Sequence, residues 1–311
     1  MRFYFIVLSI LFSTCFIEAG TPPAKSDSIN FLEPSVDYNR GRLLGVLGIE
    51  TGLWAGSMIG FGTLWYNDYA QSSFHFFDDS KEWNQMDKAG HFVTSYYLNN
   101  IGTSLFTWSG VERRKSIWLG GTVGTLFLLT VEVFDGYSSN WGASWGDLAA
   151  NTAGRLVSMT QNALWNEQRI VFKFSFHETS IAQYRPKVLG ENLTEQILKD
   201  YNGQTYWMSV NIHSFLKEES KFPRWLNVAL GYGADGMTGG ETNPILVDGN
   251  IIPQFQRQRQ YYLSLDVDLT KIPTKSKVLK AVFQTFGFLK IPFPTLEYND
   301  GLGMRYHLLY F

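Results

Sequence analysis

Three short polar segments lie within apolar, glycine-rich stretches, and their residue types could do chemistry. They read Asp87-Lys88-Ala89-Gly90-His91, Glu132-Val133-Phe134-Asp135 and Ser144-Trp145-Gly146-Asp147-Leu148-Ala149-Ala150-Asn151. Within each segment the polar residues are three or four positions apart, so a helix would bring them to one face. Charged side chains on apolar helices are costly unless they face a partner or a wet cavity. We therefore expect three helices to turn these side chains toward one another.

The first segment has three ionisable groups within one helical turn. An aspartate such as Asp87, four residues before His91, can hold the imidazole in one tautomer, as catalytic and metal-binding histidines require. Lys88 lies between them in the sequence. The structural alternative is a helix cap at Asp87 and an ordinary core histidine.

The second and third segments are open to two interpretations each. Glu132 lies near the end of the most apolar stretch, where its charge needs a cation such as Lys88 or protonated His91. A general acid or base and a structural ion pair both explain such a residue. Ser144 and Asp147 resemble a capping box that starts a helix. Asn151 lies deeper in that helix, on the face of Asp147.

These residues could also hold a divalent ion, because carboxylates and imidazole are ordinary ligands. The candidate ligands are Asp87, His91, Glu132 and Asp147. Since no His-Glu-x-x-His spacing occurs, we favour a structural polar network or proton-handling site over a metal centre, and both over a nucleophilic triad. No Gly-x-Gly-x-x-Gly or Walker-type loop occurs, so we predict no nucleotide cofactor.

The positioning elements can be predicted along the chain. Residues 1–19 read as a signal peptide, followed by a linker over 20–40. Cys15, the only cysteine, is either lost with the signal or lipidated; Thr14 is a poor lipobox residue, which favours loss. Residues 41–165 predict a bundle of about four membrane-associated helices, over 41–66, 91–107, 117–134 and 144–164.

Glycine spacing suggests how these helices pack. Gly48, Gly52, Gly56 and Gly60 recur every four residues, which predicts a smooth stripe for close helix contact in lipid. Gly120 and Gly124 predict a second small-xxx-small contact.

Residues 166–311 change to period-two alternation, which predicts antiparallel strands. The runs are 172–176, 206–212, 226–232, 261–269 and 303–311, with one inserted helix at about 275–288. A sheet, a half-barrel and a small barrel remain open. The predicted fold class is therefore α+β.

Composition limits the partners. A net charge of -2 argues against a nucleic-acid binder, which normally has a basic face. Aromatic residues make up 16% of the chain, which is typical of bilayer boundaries and interfaces. Membrane lipid is the expected partner, and envelope protein partners stay open.

The motifs resemble a known family, the domain of unknown function 2279. The resemblance rests on Met86–His91, Glu132–Ser138 and Trp141–Asn151, and continues into Asp200–Trp207 and Leu289–Glu297. It implies a YfiM-like periplasmic or envelope protein, in the long form of Bacteroidetes-like chains, without a known reaction. The Asp-Lys-x-x-His and Asp-x-x-x-Asn-x-x-Gly spacings are also distantly similar to VanZ-like membrane proteins.

Two functions follow from these observations. The favoured one is non-catalytic: a cell-envelope membrane protein with a structural or lipid-binding role in envelope maintenance, in the outer rather than the inner membrane. The alternative is a membrane-embedded hydrolase or transferase that acts on a lipid or polyprenyl head group. Its hypothetical catalytic residues are Asp87, Lys88, His91, Glu132, Asp147 and Asn151.

Overall fold

The computed structural model describes residues 33–64 and 70–311. The predicted signal peptide, Cys15 and most of the predicted linker therefore lie outside the described residues. Residues Pro34–Phe311 form one compact unit. The division into a domain over 41–165 and another over 166–311 stays a prediction.

Four long helices come first, close to where the hydrophobic pattern predicts them. They are α1 (Arg40–Leu64), α2 (Met86–Trp108), α3 (Arg113–Asp135) and α4 (Trp145–Trp165). A 3₁₀ turn over Glu82–Gln85 precedes α2, which begins five residues earlier than the predicted start at His91. Ser144 caps α4 as predicted, because its side chain accepts a hydrogen bond from the Asp147 amide. By length and composition alone, Arg40–Gly62 and Arg113–Asp135 could cross a membrane.

Helices α2 and α3 touch backbone to backbone at two glycines. A Cβ atom added to Gly120 would lie 2.2 Å from the Thr103 nitrogen and 2.7 Å from the Gly102 carbonyl carbon. One added to Gly124 would lie 2.8 Å from Leu98 Cβ. The predicted small-xxx-small pair is therefore the place where α3 packs against α2.

The glycine stripe of α1 behaves differently from the prediction. A Cβ added to Gly48, Gly52, Gly56 or Gly60 meets no described atom within 4 Å. Helix α1 packs through other positions, where Val46 forms an apolar cluster with Phe106 and Val111. Branched and aromatic side chains bury more apolar area than glycine, so they determine which face of α1 turns inward.

The second half of the described chain contains a six-stranded antiparallel sheet. Its strands are β1 (Ile170–Phe176), β2 (Gln204–Asn211), β3 (Leu226–Asp235), β6 (Gln258–Val267), β7 (Phe293–Asn299) and β8 (Gly303–Tyr310), paired in that order. Among the described residues β1 and β8 do not pair, so the sheet is not closed. The five predicted strands are confirmed, whereas β7 is an addition, because Pro294 interrupts its alternating pattern.

Shorter elements connect these strands. They are α5 (Pro186–Leu189), α6 (Leu193–Lys199), the β4–β5 hairpin (Leu246–Val247 and Asn250–Ile251) and α7 (Lys277–Phe286). The α7 helix lies within the predicted span of 275–288. The described residues thus form a mixed helix-and-sheet fold.

The sheet is curled around a polar interior. Tyr310 on β8 donates a hydrogen bond to the hydroxyl of Tyr262 on β6, two strands away, at 2.6 Å. The Tyr310 hydroxyl is also 3.4 Å from the Thr205 hydroxyl on β2. A flat sheet would keep these strands much further apart. The concave side therefore holds polar groups, and the alternate residues point outward.

Candidate functional site

The structure brings the six predicted residues together at one end of the helical bundle. Asp87, Lys88 and His91 come from the start of α2, Glu132 from the last turn of α3, and Asp147 and Asn151 from the start of α4. Helix α3 runs opposite to its neighbours, so its carboxyl end meets the amino ends of α2 and α4. We call this group the bundle cluster. Asp135, by contrast, accepts a hydrogen bond from Trp141 outside it.

Lys88 is the central cation of the bundle cluster. Its ammonium nitrogen lies 2.8 Å from Asp147 Oδ1 and 3.2 Å from Asp87 Oδ2, and it also pairs with Asp79. Burial opposes the charge, but Asp87 and Asp147 raise the pKa of Lys88 above its ordinary value. Lys88 is therefore held as a cation. Asp79 was not predicted, because it lies in an irregular segment with no helical spacing to mark it.

His91 is oriented by Asn151, not by Asp87 as the sequence predicts. His91 Nδ1 lies 3.1 Å from Asn151 Oδ1, and an amide oxygen can only accept, so Nδ1 carries the hydrogen. The distance from His91 Nε2 to Asp87 Oδ1 is 3.8 Å, too long for a hydrogen bond. Asp87 Oδ1 instead accepts a hydrogen bond from Tyr201, whereas α4 presents Asn151 directly to the ring.

Glu132 is nearly inaccessible, with 2% of its surface exposed. Its Oε2 accepts a hydrogen bond from the Ser144 amide at 3.0 Å. Its Oε1 has no hydrogen-bond partner among the described residues, and His91 Nδ1 lies 3.7 Å away. Lys88, the other predicted partner, is engaged by the aspartates instead.

The pKa values of the two aspartates, Asp147 and Asp87, shift in opposite directions. Burial, together with the charge of Asp87, raises the pKa of Asp147 to about 8. For Asp87, burial is outweighed by His91, Lys88 and a hydrogen bond from Tyr201, so its pKa is lowered. Burial disfavours charge on His91, but Asp87, Asp147 and Glu132 raise its pKa. The bundle cluster thus contains neighbouring acids whose pKa values are shifted in opposite directions.

Two tyrosines connect the bundle cluster to the β region. Tyr201 donates a hydrogen bond to Asp87 Oδ1 at 2.6 Å. Gly90 leaves room for Tyr206, because a Cβ at Gly90 would lie 2.8 Å from the Tyr206 hydroxyl oxygen. Sequence reasoning assigned neither tyrosine to the site. The signal was present, since both lie within the Asp200–Trp207 segment that carries part of the family resemblance.

Exposed aromatic side chains surround this end of the bundle. Phe76 stacks on Trp145 with ring centroids 4.5 Å apart, and Phe74 meets Tyr137 edge-on at 5.4 Å. All four are exposed, Trp145 by 68%. We call these four residues the aromatic rim.

Three of the four predicted metal ligands share one side of the imidazole. The ligand atoms of Asp87, His91 and Asp147 all lie within 4.8 Å of one another. Glu132 is on the other side, near Nδ1. Of the four predicted ligands, the structure brings three together on one side of the ring and places Glu132 on the other; metal binding stays a prediction.

Comparison with known proteins identifies the segment that carries this site. No curated protein and no solved structure matches the chain. The comparisons give no support to the distant similarity to VanZ-like proteins. The segments 200–207 and 289–297 lie outside the family match. Residues 75–163, which contain the whole bundle cluster, match the family described as "Predicted periplasmic lipoprotein (DUF2279)", a description that fits a cell-envelope protein and confirms the resemblance drawn from the three motifs.

Proposed function

We propose that this chain is a membrane protein of the cell envelope with a non-catalytic role, in which its outer surface contacts lipid. The observation that carries the proposal is inverted polarity. On helix α4 and on the sheet, most covered side chains are polar, and most of the large exposed side chains are apolar. Water-soluble folds have the opposite arrangement.

Helix α4 shows the inversion within one element. Its fully covered positions are Asp147, Asn151, Gly154, Ser158, Gln161 and Asn162. Its exposed positions are Trp145, Gly146, Ala149, Thr152, Ala153, Leu156, Thr160, Ala163 and Leu164. None of the exposed positions is charged. A helix with this pattern is stable where its outer side meets hydrocarbon and its inner side meets polar partners.

The sheet repeats the pattern. Large apolar side chains project from its convex side: Leu230, Tyr261, Leu263, Leu265, Leu296, Tyr298, Met304, Tyr306 and Leu308. A contiguous patch of this size is unusual on a soluble monomer. Strands with apolar exteriors and a polar interior are typical of outer-membrane proteins, which is why we favour the outer membrane.

The ends of the bundle fit the two boundaries of a bilayer. The aromatic rim lies at the end of α3 near Glu132, and Arg114 and Lys115 are exposed at its start. Along a helix these positions are about 25 Å apart, close to the roughly 30 Å of a hydrocarbon core. Aromatic rings are enriched at such boundaries. The bundle cluster then lies near the level of lipid head groups.

In this arrangement the bundle cluster has a structural role. The hydrogen bond from Tyr201 to Asp87 and the ion pairs of Lys88 join α2, α4 and the β region. We therefore propose that the protein maintains the envelope as a scaffold or by binding lipid along its apolar exterior.

Membrane fractionation tests the proposal. We expect the full chain in the outer-membrane fraction, and we expect it to resist extraction with alkaline carbonate. Release into the soluble fraction would contradict the proposal. Leu263→Lys on the convex side should lower the amount of folded protein in the membrane, because a lysine in the bilayer centre costs about 2–4 kcal/mol. Leu246→Lys, at a 60% exposed position in the small hairpin, is the matched control and should have no effect.

A second candidate function is hydrolysis or transfer at a lipid or polyprenyl head group. The observation that favours it is the partial exposure of Asp87 and His91 beside the aromatic rim. His91 would act as general base, oriented by Asn151, and Asp147 would stabilise charge. In a His91→Ala strain, a folded protein with a null phenotype supports chemistry. An unfolded protein supports the structural role.

A further inference from the structure

The free side of the His91 ring faces two carboxylates without bonding to either. Since Nδ1–H is directed to Asn151, the other nitrogen, Nε2, keeps a lone pair whenever the imidazole is neutral. Nε2 lies 3.8 Å from Asp87 Oδ1 and 4.0 Å from Asp147 Oδ1. A lone pair directed at two acceptors is unfavourable unless a cation or a proton lies between them.

These distances suit a metal ion. Ligand atoms at about 2.1 Å from a transition-metal ion are roughly 3–4 Å from one another. The two distances from His91 Nε2, 3.8 and 4.0 Å, lie at the upper end of that range, and one ligand atom from each of the three residues lies within 4.8 Å of the others. Direct hydrogen bonds would require much shorter contacts.

The charges of the bundle cluster leave room for a divalent cation. Asp87, Glu132 and Asp147 of the bundle cluster and the adjoining Asp79 are four acids, whereas Lys88 is the one lysine or arginine in the bundle cluster. Lys88 contacts Asp147 Oδ1 as well, but a carboxylate oxygen has a second lone pair for a metal. A divalent ion would offset most of the remaining negative charge.

An independent observation that supports the site comes from the Nδ1 side of the His91 ring. Glu132 is 2% exposed, and its unpartnered Oε1 is directed at the Nδ1 side of His91. Metal-bound histidines are held in this way by an oxygen acceptor on their second nitrogen. Asn151 therefore acts as the positioning residue, and Glu132 places a carboxyl group 3.7 Å from the same nitrogen.

We infer that Asp87, His91 and Asp147 bind one first-row divalent cation of the Zn²⁺ or Mn²⁺ type. Two carboxylates and one imidazole suit these ions, whereas a site of oxygen ligands alone would suit Mg²⁺ or Ca²⁺. The inference does not depend on the proposed membrane role, because the site can be loaded in either setting.

The test is calorimetric titration of the full chain in detergent, with its affinity tag removed, after treatment with a chelator. Zn²⁺ or Mn²⁺ is expected to bind with one equivalent. His91→Gln and Asp87→Asn should each weaken binding by about 100-fold or more, and Asn151→Ala by about 10–100-fold. The matched controls, Asp78→Asn and His213→Gln, should bind as the wild type does. Absence of stoichiometric binding, or equal binding by His91→Gln, would overturn the inference.

A second measurement, on the wild-type chain, tests the metal site even if the ligand variants fail to fold. The melting temperature of the wild-type chain should rise on adding Zn²⁺ and fall again with chelator, because a ligand that binds the folded state stabilises it. The Asp78→Asn variant should show the same rise. If the wild-type melting temperature does not respond to metal, a proton on Nε2 fills the gap instead and the metal site is wrong.

Discussion

The bundle cluster and the interior of the sheet both bury ionisable groups, but the two regions provide different partners for them. In the sheet, Lys173 and Asp266 are completely inaccessible and lie 2.7 Å apart. Lys173 also donates to the Val267 carbonyl, and Ser209 donates to Asp266 at 2.6 Å. Lys290 lies 3.9 Å from Asp266 and donates to two backbone carbonyls, those of Leu265 and Ile291.

The bundle cluster, in contrast, is partly accessible and has more acids than cations. Glu132 Oε1 has no hydrogen-bond partner among the described residues, and His91 Nε2 lies 3.8 Å from Asp87 Oδ1 and 4.0 Å from Asp147 Oδ1, too far for a hydrogen bond. A fully bonded buried network is what a structural role requires. Groups left unsatisfied at an accessible place indicate a ligand, a shared proton or a reaction. On this comparison the sheet interior is purely structural, and we propose that the bundle cluster binds a ligand in addition to joining α2, α4 and the β region.

The largest expected effect is that of Lys173→Met. It removes the close partner of Asp266, and breaking a buried pair from one side costs about 3–5 kcal/mol. Lys88→Met in the bundle cluster should lower the free energy of unfolding by less, because Asp147 can take up a proton when its partner is lost. Denaturant unfolding of both variants in detergent measures the difference. If the two variants lose equal unfolding free energy, or Lys88→Met loses more, the proposed difference between the two regions is wrong.

A smaller effect concerns pH. Burial lowers the pKa of Lys290 from 10.5 to about 8 in the folded chain. Between these values the unfolded chain binds more protons, so stability should rise with pH by up to about 1.4 kcal/mol per unit. Below about pH 8 this lysine is charged in both states and contributes no slope. Unfolding of wild type and Lys290→Met from about pH 8 to about pH 10 isolates the effect; identical slopes would show that Lys290 does not titrate there.

The smallest effect is expected for Glu132→Gln. A glutamine keeps an oxygen for the Ser144 amide and removes one negative charge from a place that has too many. The free energy of unfolding should therefore change by less than about 1 kcal/mol, within the range of a single neutral hydrogen bond. Thermal and denaturant unfolding measure this change. A loss of several kcal/mol would mean that the bundle cluster is a structural lock of the same kind as the sheet interior.

Much of the local structure could be predicted from the sequence. The apolar periodicity of 117–134 and the alternation of 172–176 predict α3 and β1, since these patterns follow from the geometry of helix and strand. Ser144 was identified as a cap, because its hydrogen bond to the Asp147 amide spans only three residues. The six polar residues of the bundle cluster were also found by their spacing within apolar stretches.

Pairings between distant segments could not be predicted. Local spacing suggested Asp87 as the partner of His91, but the packing of α4 against α2 supplies Asn151 instead. Asp79 and Tyr201 were not predicted for the same reason, because their contacts with the bundle cluster join separate segments of the chain. The side of α1 that faces inward could not be predicted either, because four regularly spaced glycines do not show whether a neighbouring helix is present.

The amino-acid order by itself determined the elements, the alternation of polar and apolar residues within them and the residues available for chemistry, because these depend on neighbours within a few positions. Only the tertiary structure decided how charge is distributed: Lys173 with Asp266 in the curled sheet, Lys88 among three aspartates in the bundle, and a histidine nitrogen left between two carboxylates. Such contacts join residues far apart in the chain, and their energies depend on distances and burial that exist only after folding.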